Sequence, residues 1–166
     1  MRCSTCGADH EWTELEPIYR HPDAFLEIPE AERGYRAHCS NDDCRIRDAA
    51  DTERRYFLRA LMPVPVRGAP RECCWGLWVE VSAATFDRVG ALWDAPDQAA
   101  EPSFVATVAN AVRGYPPTLG LPGGLQLTGP TTPPQFLFEA GVDHPLAEEQ
   151  RSGVYPERIL EWLHDH

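Results

Sequence analysis

Cys3 and Cys6 stand three residues apart and are followed at once by Gly7. Two thiolates at that spacing grip one zinc ion from a tight turn. A glycine after the second lets the backbone fold beneath the metal with no Cβ in the way. Cys39 and Cys44 lie a loop further on, with His10 and His38 nearby, so this segment offers more donors than the four a tetrahedral site needs. Cys3, Cys6 and Cys44 head the expected ligand set. The fourth ligand is Cys39, a second thiolate at a spacing wider than a standard second knuckle, or His10, which can fold back from just past the first. A closed four-ligand site is structural and leaves no open position for water. The redox use of Cys-x-x-Cys needs a strand leading into the motif, and here the motif begins at the third residue.

Asp143-His144-Pro145-Leu146 is the other segment with a chemical reading. An acid beside a histidine can orient an imidazole for general acid–base work, which makes Asp143 and His144 the candidate catalytic residues. The same residues also suit a helix start: Asp143 or His144 as the cap, Pro145 in the first turn, and Glu148 and Glu149 against the helix dipole. Cys73 and Cys74 are adjacent in a strand and therefore face opposite ways, so they do not chelate one metal together. Trp75, Trp78 and Trp93 are core aromatics or the lining of an aromatic pocket. Arg55, Arg59 and Arg71 flank one hairpin and could meet a phosphate or a carboxylate.

Composition narrows these readings. The chain has 166 residues and a net charge of -11, which disfavours sequence-independent binding to nucleic acid. Charge is uneven: residues 45–71 hold seven arginines against Asp48, Asp51 and Glu53. All basic residues are arginine, so Schiff-base chemistry on lysine and a phosphate-loop lysine are both excluded. No run approaches the ~20 apolar residues of a membrane span, and the N-terminus has no apolar signal core. The expected location is the cytoplasm, where the six cysteines are thiols or metal ligands rather than disulfides.

The elements that must position these residues follow from periodicity and punctuation. Pro22–Ile28 and Pro29–His38 read as short helices, each opened by its proline. Residues 53–64 read as a strand with Phe57 and Leu61 on one face and Tyr56, Leu58 and Met62 on the other. Residues 72–81 read as a second strand, with Cys73, Trp75, Leu77, Val79 and Val81 on one face, and pair with the first as a hairpin. Ser82 caps a helix over 83–94 that presents Phe86, Val89 and Trp93 on one stripe. Phe104–Val112, Leu125–Thr128 and Gln135–Glu139 are further strands. A helix from Pro145 stops at Gly153, and Pro156 opens the last one. The expectation is one α+β domain over residues 1–166: an antiparallel sheet with helices packed to one side, and residues 1–47 as an N-terminal zinc-knuckle segment.

Cys3-x-x-Cys6-Gly7-x-x-His10, Asp42-x-Cys44, Phe57-Leu58-Arg59, Trp75-Gly76-Leu77-Trp78, Tyr115-Pro116-x-Thr118-Leu119 and Asp143-His144-Pro145-Leu146-Ala147-x-Glu149-Gln150, with Gly153, occur in this order. Together the set resembles the bacterial family called domain of unknown function 2199, along nearly the whole chain. The resemblance implies a bacterial, cytoplasmic, single-domain protein and brings no activity with it. Its pattern includes His10 and lacks Cys39, which raises His10 as the fourth ligand. The functional expectation is a non-enzymatic, zinc-stabilised domain that binds a protein partner, adaptor-like or immunity-like. The alternatives are an enzyme using His144 with a nearby carboxylate, and a zinc-ribbon nucleic-acid binder, which the charge disfavours.

Overall fold

The computed structural model describes residues 16–69 and 72–165. Short helices α1 (Asp23–Leu26) and α2 (Glu30–Arg36) lead into a hairpin of β1 (Ala37–Cys39) and β2 (Asp43–Arg47). The long strands β3 (Arg54–Pro65) and β4 (Glu72–Val81) follow, then α3 (Ala83–Leu92), β5 (Phe104–Val108), β6 (Pro122–Gln126), β7 (Gln135–Phe138), α4 (Pro145–Ser152) and α5 (Pro156–Asp165). Each strand pairs antiparallel with the next, in the order β1 to β7.

The sheet is not open. β7 turns back to β3 in a parallel contact of Leu61 with Gln135, and Leu61 N–H donates to the Pro134 carbonyl at 2.8 Å. β3 to β7 thus form a closed five-stranded barrel beside which α3, α4 and α5 pack, which corrects the expected antiparallel sheet with helices packed to one side. Curvature comes from β6, where Gly123 lies so close to its neighbour that a Cβ would sit 2.4 Å from both the Leu137 carbonyl oxygen and the Phe136 ring. A glycine at such a point lets a strand bend into a barrel corner.

Closure sorts the side chains into two cores. Leu58, Ala60, Met62 and Val64 of β3 face Cys73, Trp75, Leu77 and Val79 of β4 inside the barrel, joined by Leu125, Phe136, Phe86, Leu146, Ile159 and Trp162. The opposite face of the hairpin carries Phe57 and Trp78, which pack with Ile28, Cys44 and Ile46 in a second, smaller core. The alternation read in the sequence therefore survives, with both faces buried. Helices close the barrel from different ends: Phe86 of α3 packs on Tyr56, ring centroids 5.2 Å apart, and Trp162 of α5 packs on Trp75 at 5.0 Å.

One edge of β3 is shared. β2 pairs with its first half, from Arg54 to Leu58, and β7 meets it at Leu61. At the changeover Arg59 N–H donates to the Asp42 carbonyl at 2.8 Å, two residues before Leu61 donates to Pro134. Asp42 and the loop before β7 therefore meet at a seam, beneath α3. Ser82 caps α3 as the sequence indicates, its hydroxyl accepting from Thr85 N–H at 3.1 Å. Among the described residues, no helix is long and apolar enough to cross a membrane.

Candidate functional site

Cys3, Cys6 and His10 lie outside the described residues. Cys39 and Cys44 are partners in the β1–β2 hairpin register, their Cα atoms 4.0 Å apart, and are joined as a disulfide. That pairing corrects the expectation that the cysteines form no disulfide. Among the described residues no group of three or more His, Cys, Asp and Glu side chains is placed to hold a metal ion. The zinc knuckle, the zinc cofactor and the zinc-stabilised function are corrected on this finding. The physical reason lies in the hairpin. Ser40 Oγ accepts from Asp42 and Asp43 N–H at 3.1 and 3.0 Å, tightening the turn so that the two cysteines face each other. Cys44 is fully buried against Phe57 and Ile46.

His144 is the N-cap of α4. Its Nδ1 accepts the Leu146 N–H at 3.1 Å, so Nε2 carries the ring proton and faces the Pro116 carbonyl at 3.3 Å. Both ring nitrogens are committed to backbone and the ring is buried. Asp143 beside it is exposed. Glu80 is held by Arg55 through two hydrogen bonds of 2.7 Å.

Around His144 the chain assembles a polar network that the sequence reading did not group. Tyr115 donates its hydroxyl proton to Glu149 and accepts from Trp162 Nε1 at 2.8 Å. Arg158 donates to Glu149 at 2.9 Å and lies over the Tyr115 ring, 5.2 Å from its centroid. Burial, then the bond to Glu149, raises the Tyr115 pKa and keeps the phenol a donor. Gln150 accepts from Phe138 N–H and donates to the Phe136 carbonyl, both at 2.8 Å, tying α4 to β7. Every one of these groups is satisfied by protein, so the network fastens α4 and α5 to the barrel.

The seam beneath α3 has a different character. A cavity of about 370 Å³ is lined by Leu58, Phe86, Val89, Gly90 and Trp93 on its apolar side and by Asp42, Asp43 and Arg45 on its rim. A second, of about 210 Å³, continues past Trp93 and Asp42 to Gln98 and the loop Gly129–Pro134. Trp93 and Asp42 line both, so the two form one groove. Trp75 and Trp78 are fully buried on opposite faces of β4, whereas Trp93 is half-buried. A Cβ on Gly90 would have no heavy atom within 4 Å. The walls are held in place: Gln98 Nε2 donates to the Trp93 carbonyl at 2.7 Å, and Thr128 Oγ1 donates to the Pro133 carbonyl at 3.0 Å.

A family model matches residues 2–154. The chain belongs to the DUF2199 family, described as an uncharacterised protein conserved in bacteria. No curated protein and no solved structure matches it. The DUF2199 match stops at Val154, so Arg158 and Trp162, which complete the Tyr115 network, come from beyond it. The sequence motifs around Tyr115 and His144, far apart in the chain, meet at this one end of the barrel, with the two rings 6.4 Å apart.

The vicinal cysteines point apart as their strand requires. Cys73 is buried in the barrel, and Cys74 is half-buried on the outer face, its N–H donating to Glu16 at 3.3 Å. Burial, then Glu16 and Glu72, pushes the Cys74 thiol up to about 11. A thiol so raised favours folding below its ordinary range and disfavours it as pH climbs towards that value. Alkylation of Cys74 by iodoacetamide at pH 8 should run roughly a hundredfold slower than for a free cysteine. It should quicken about tenfold per pH unit above that, read by site-resolved mass spectrometry. Full labelling at pH 8 at the free-cysteine rate would contradict this placement.

Proposed function

We propose that this DUF2199 protein is a binding module that receives a segment of a partner protein in the groove between α3 and the β2–β7 seam. The observation that carries the reading is the groove itself. It is concave and mostly apolar, its larger part has a volume in the range of ligand sites, and it is rimmed by a few charged groups. From Phe86 to Trp93 it follows α3 for about 10 Å, the span of three or four residues of extended chain. Fixed walls reduce the ordering cost of binding, and three prolines in the Gly129–Pro134 loop add to that stiffness.

Gly90 supplies the test. Its outward face opens on the groove, so Gly90→Leu fills the groove while improving helix propensity by roughly 0.5–1 kcal/mol. Peptides selected from a random display library on the wild-type protein should lose at least ~10-fold in affinity for Gly90→Leu, measured by fluorescence anisotropy. The variant should melt at the same temperature or higher. If no selected peptide distinguishes the two proteins, the groove is not a binding site.

A further inference from the structure

We infer that the segment bound in this groove carries a cation, in first preference arginine, seated between the Trp93 indole and the Asp42 carboxylate, with an apolar residue beside it over Gly90. The inference rests on the binding reading above and names the chemistry of its partner.

Three observations converge on that pair. First, Trp93 and Asp42 are the two residues that line both halves of the groove, so whatever spans it passes between them. Second, Asp42 is presented rather than used. Its N–H donates to Ser40 Oγ at 3.1 Å and its carbonyl accepts from Arg59 N–H at 2.8 Å, which fixes the backbone. Its exposed carboxylate accepts no hydrogen bond among the described residues. Asp43, by contrast, accepts from Ser40 Oγ at 3.0 Å. Third, the one cation on the rim among the described residues, Arg45, lies over Phe86 with its guanidinium carbon 5.3 Å from the ring centroid. It therefore sits at the Phe86 end, and the Trp93 end is left with the acid.

A carboxylate beside an aromatic face suits a guanidinium, which pairs with the acid through its edge and stacks on the ring through its plane. The net charge of -11 draws a cationic partner in before contact. The apolar residue follows from the other half, where Leu58, Phe86 and Val89 surround the space that Gly90 leaves open. An acidic segment would meet Asp42 and Asp43 with only Arg45 in its favour.

The experiment is a random-peptide display selection on the full chain, with Gly90→Leu as counter-target, followed by titration of enriched peptides against wild type, Asp42→Asn and Gly90→Leu. The expected set pairs arginine or lysine with an adjacent aliphatic or aromatic residue. Asp42→Asn, which removes charge from a carboxylate with no partner among the described residues, should weaken binding about tenfold and flatten its salt dependence. Enriched peptides without a cation, or cationic ones whose affinity Asp42→Asn leaves unchanged, would overturn the inference. Provided Gly90→Leu still abolishes their binding, the groove reading stands. Peptides indifferent to both variants would sink both.

Discussion

Trp162→Ala should lower the stability of the fold by about 3–5 kcal/mol, the range for truncating a buried aromatic. Trp162 is 1% exposed and packs on Trp75 with ring centroids 5.0 Å apart. Its Nε1 donates to the Tyr115 hydroxyl, which donates onward to Glu149, which holds Arg158. Truncation therefore opens a cavity at the barrel end and removes one member of a half-buried network. Trp162→Phe keeps most of the packing and loses only the indole donor, so it should cost about 1 kcal/mol beyond the volume change. Urea denaturation should show the midpoint falling with little change in slope. An unchanged midpoint for Trp162→Ala would mean that α5 is not docked. The α3 part of the groove lies towards the other end of the barrel: Phe86 packs on Tyr56, which pairs with Val81, and Val81 is about 20 Å from Trp75 along β4. Peptide affinity of the folded Trp162→Ala protein should therefore match wild type, which separates the clamp from the binding site.

The parts of this fold that were legible are those whose cause is local. The period-two alternation of β4, the Ser82 cap and the Pro145 helix start each depend on residues within one turn of each other, and all three are present. Closure of the barrel was not legible, because it hangs on one parallel contact between Leu61 and Gln135, seventy-odd residues apart, and on a glycine whose neighbours are set by the fold. The metal reading failed for a related reason. Spacing does not show that Cys39 and Cys44 are cross-strand partners, or that no group of three or more metal-binding side chains forms among the described residues. The His144 reading was half legible. Capping geometry was visible in the sequence, but Tyr115, Glu149, Arg158 and Trp162 had to be folded together before the network could be recognised. By residue type alone Trp93 stands with Trp75 and Trp78. Only the third dimension shows that two of them are core and one lines a groove, and that the opening in that groove is a helical glycine.

Asn110 carries the other large expected effect, and its ranking of variants runs against size. It is fully buried where β5 leaves β4. Ala109 N–H donates to the Trp78 carbonyl as the last backbone rung, and the Asn110 side chain then takes over. Oδ1 accepts the Trp78 N–H at 2.8 Å, while Nδ2 donates to the His21 carbonyl at 2.9 Å and to Asp23 at 3.0 Å. One amide thus binds β4 to the segment that covers the second core. Asn110→Ala leaves the buried Trp78 N–H without its acceptor and should cost about 3 kcal/mol. Asn110→Asp is isosteric and keeps that acceptor, yet it sets a carboxylate against the Asp23 carboxylate and the His21 carbonyl. Like charges in a buried site make it the more damaging change at pH 7, despite its shape. Lowering the pH neutralises one of the two acids, so the gap between Asn110→Asp and wild type should narrow on acidification. The wild-type reference moves the opposite way. Burial, then Arg33 and Arg20, lowers the His21 pKa, so His21 resists protonation in the folded state and stability is lost as pH falls below its ordinary value of 6.5. Urea denaturation of both variants and wild type at pH 7 and pH 5 measures these terms together. If Asn110→Asp is milder than Asn110→Ala at pH 7, the site is open enough for water to screen the new charge, and Asn110 is not the buried clasp described.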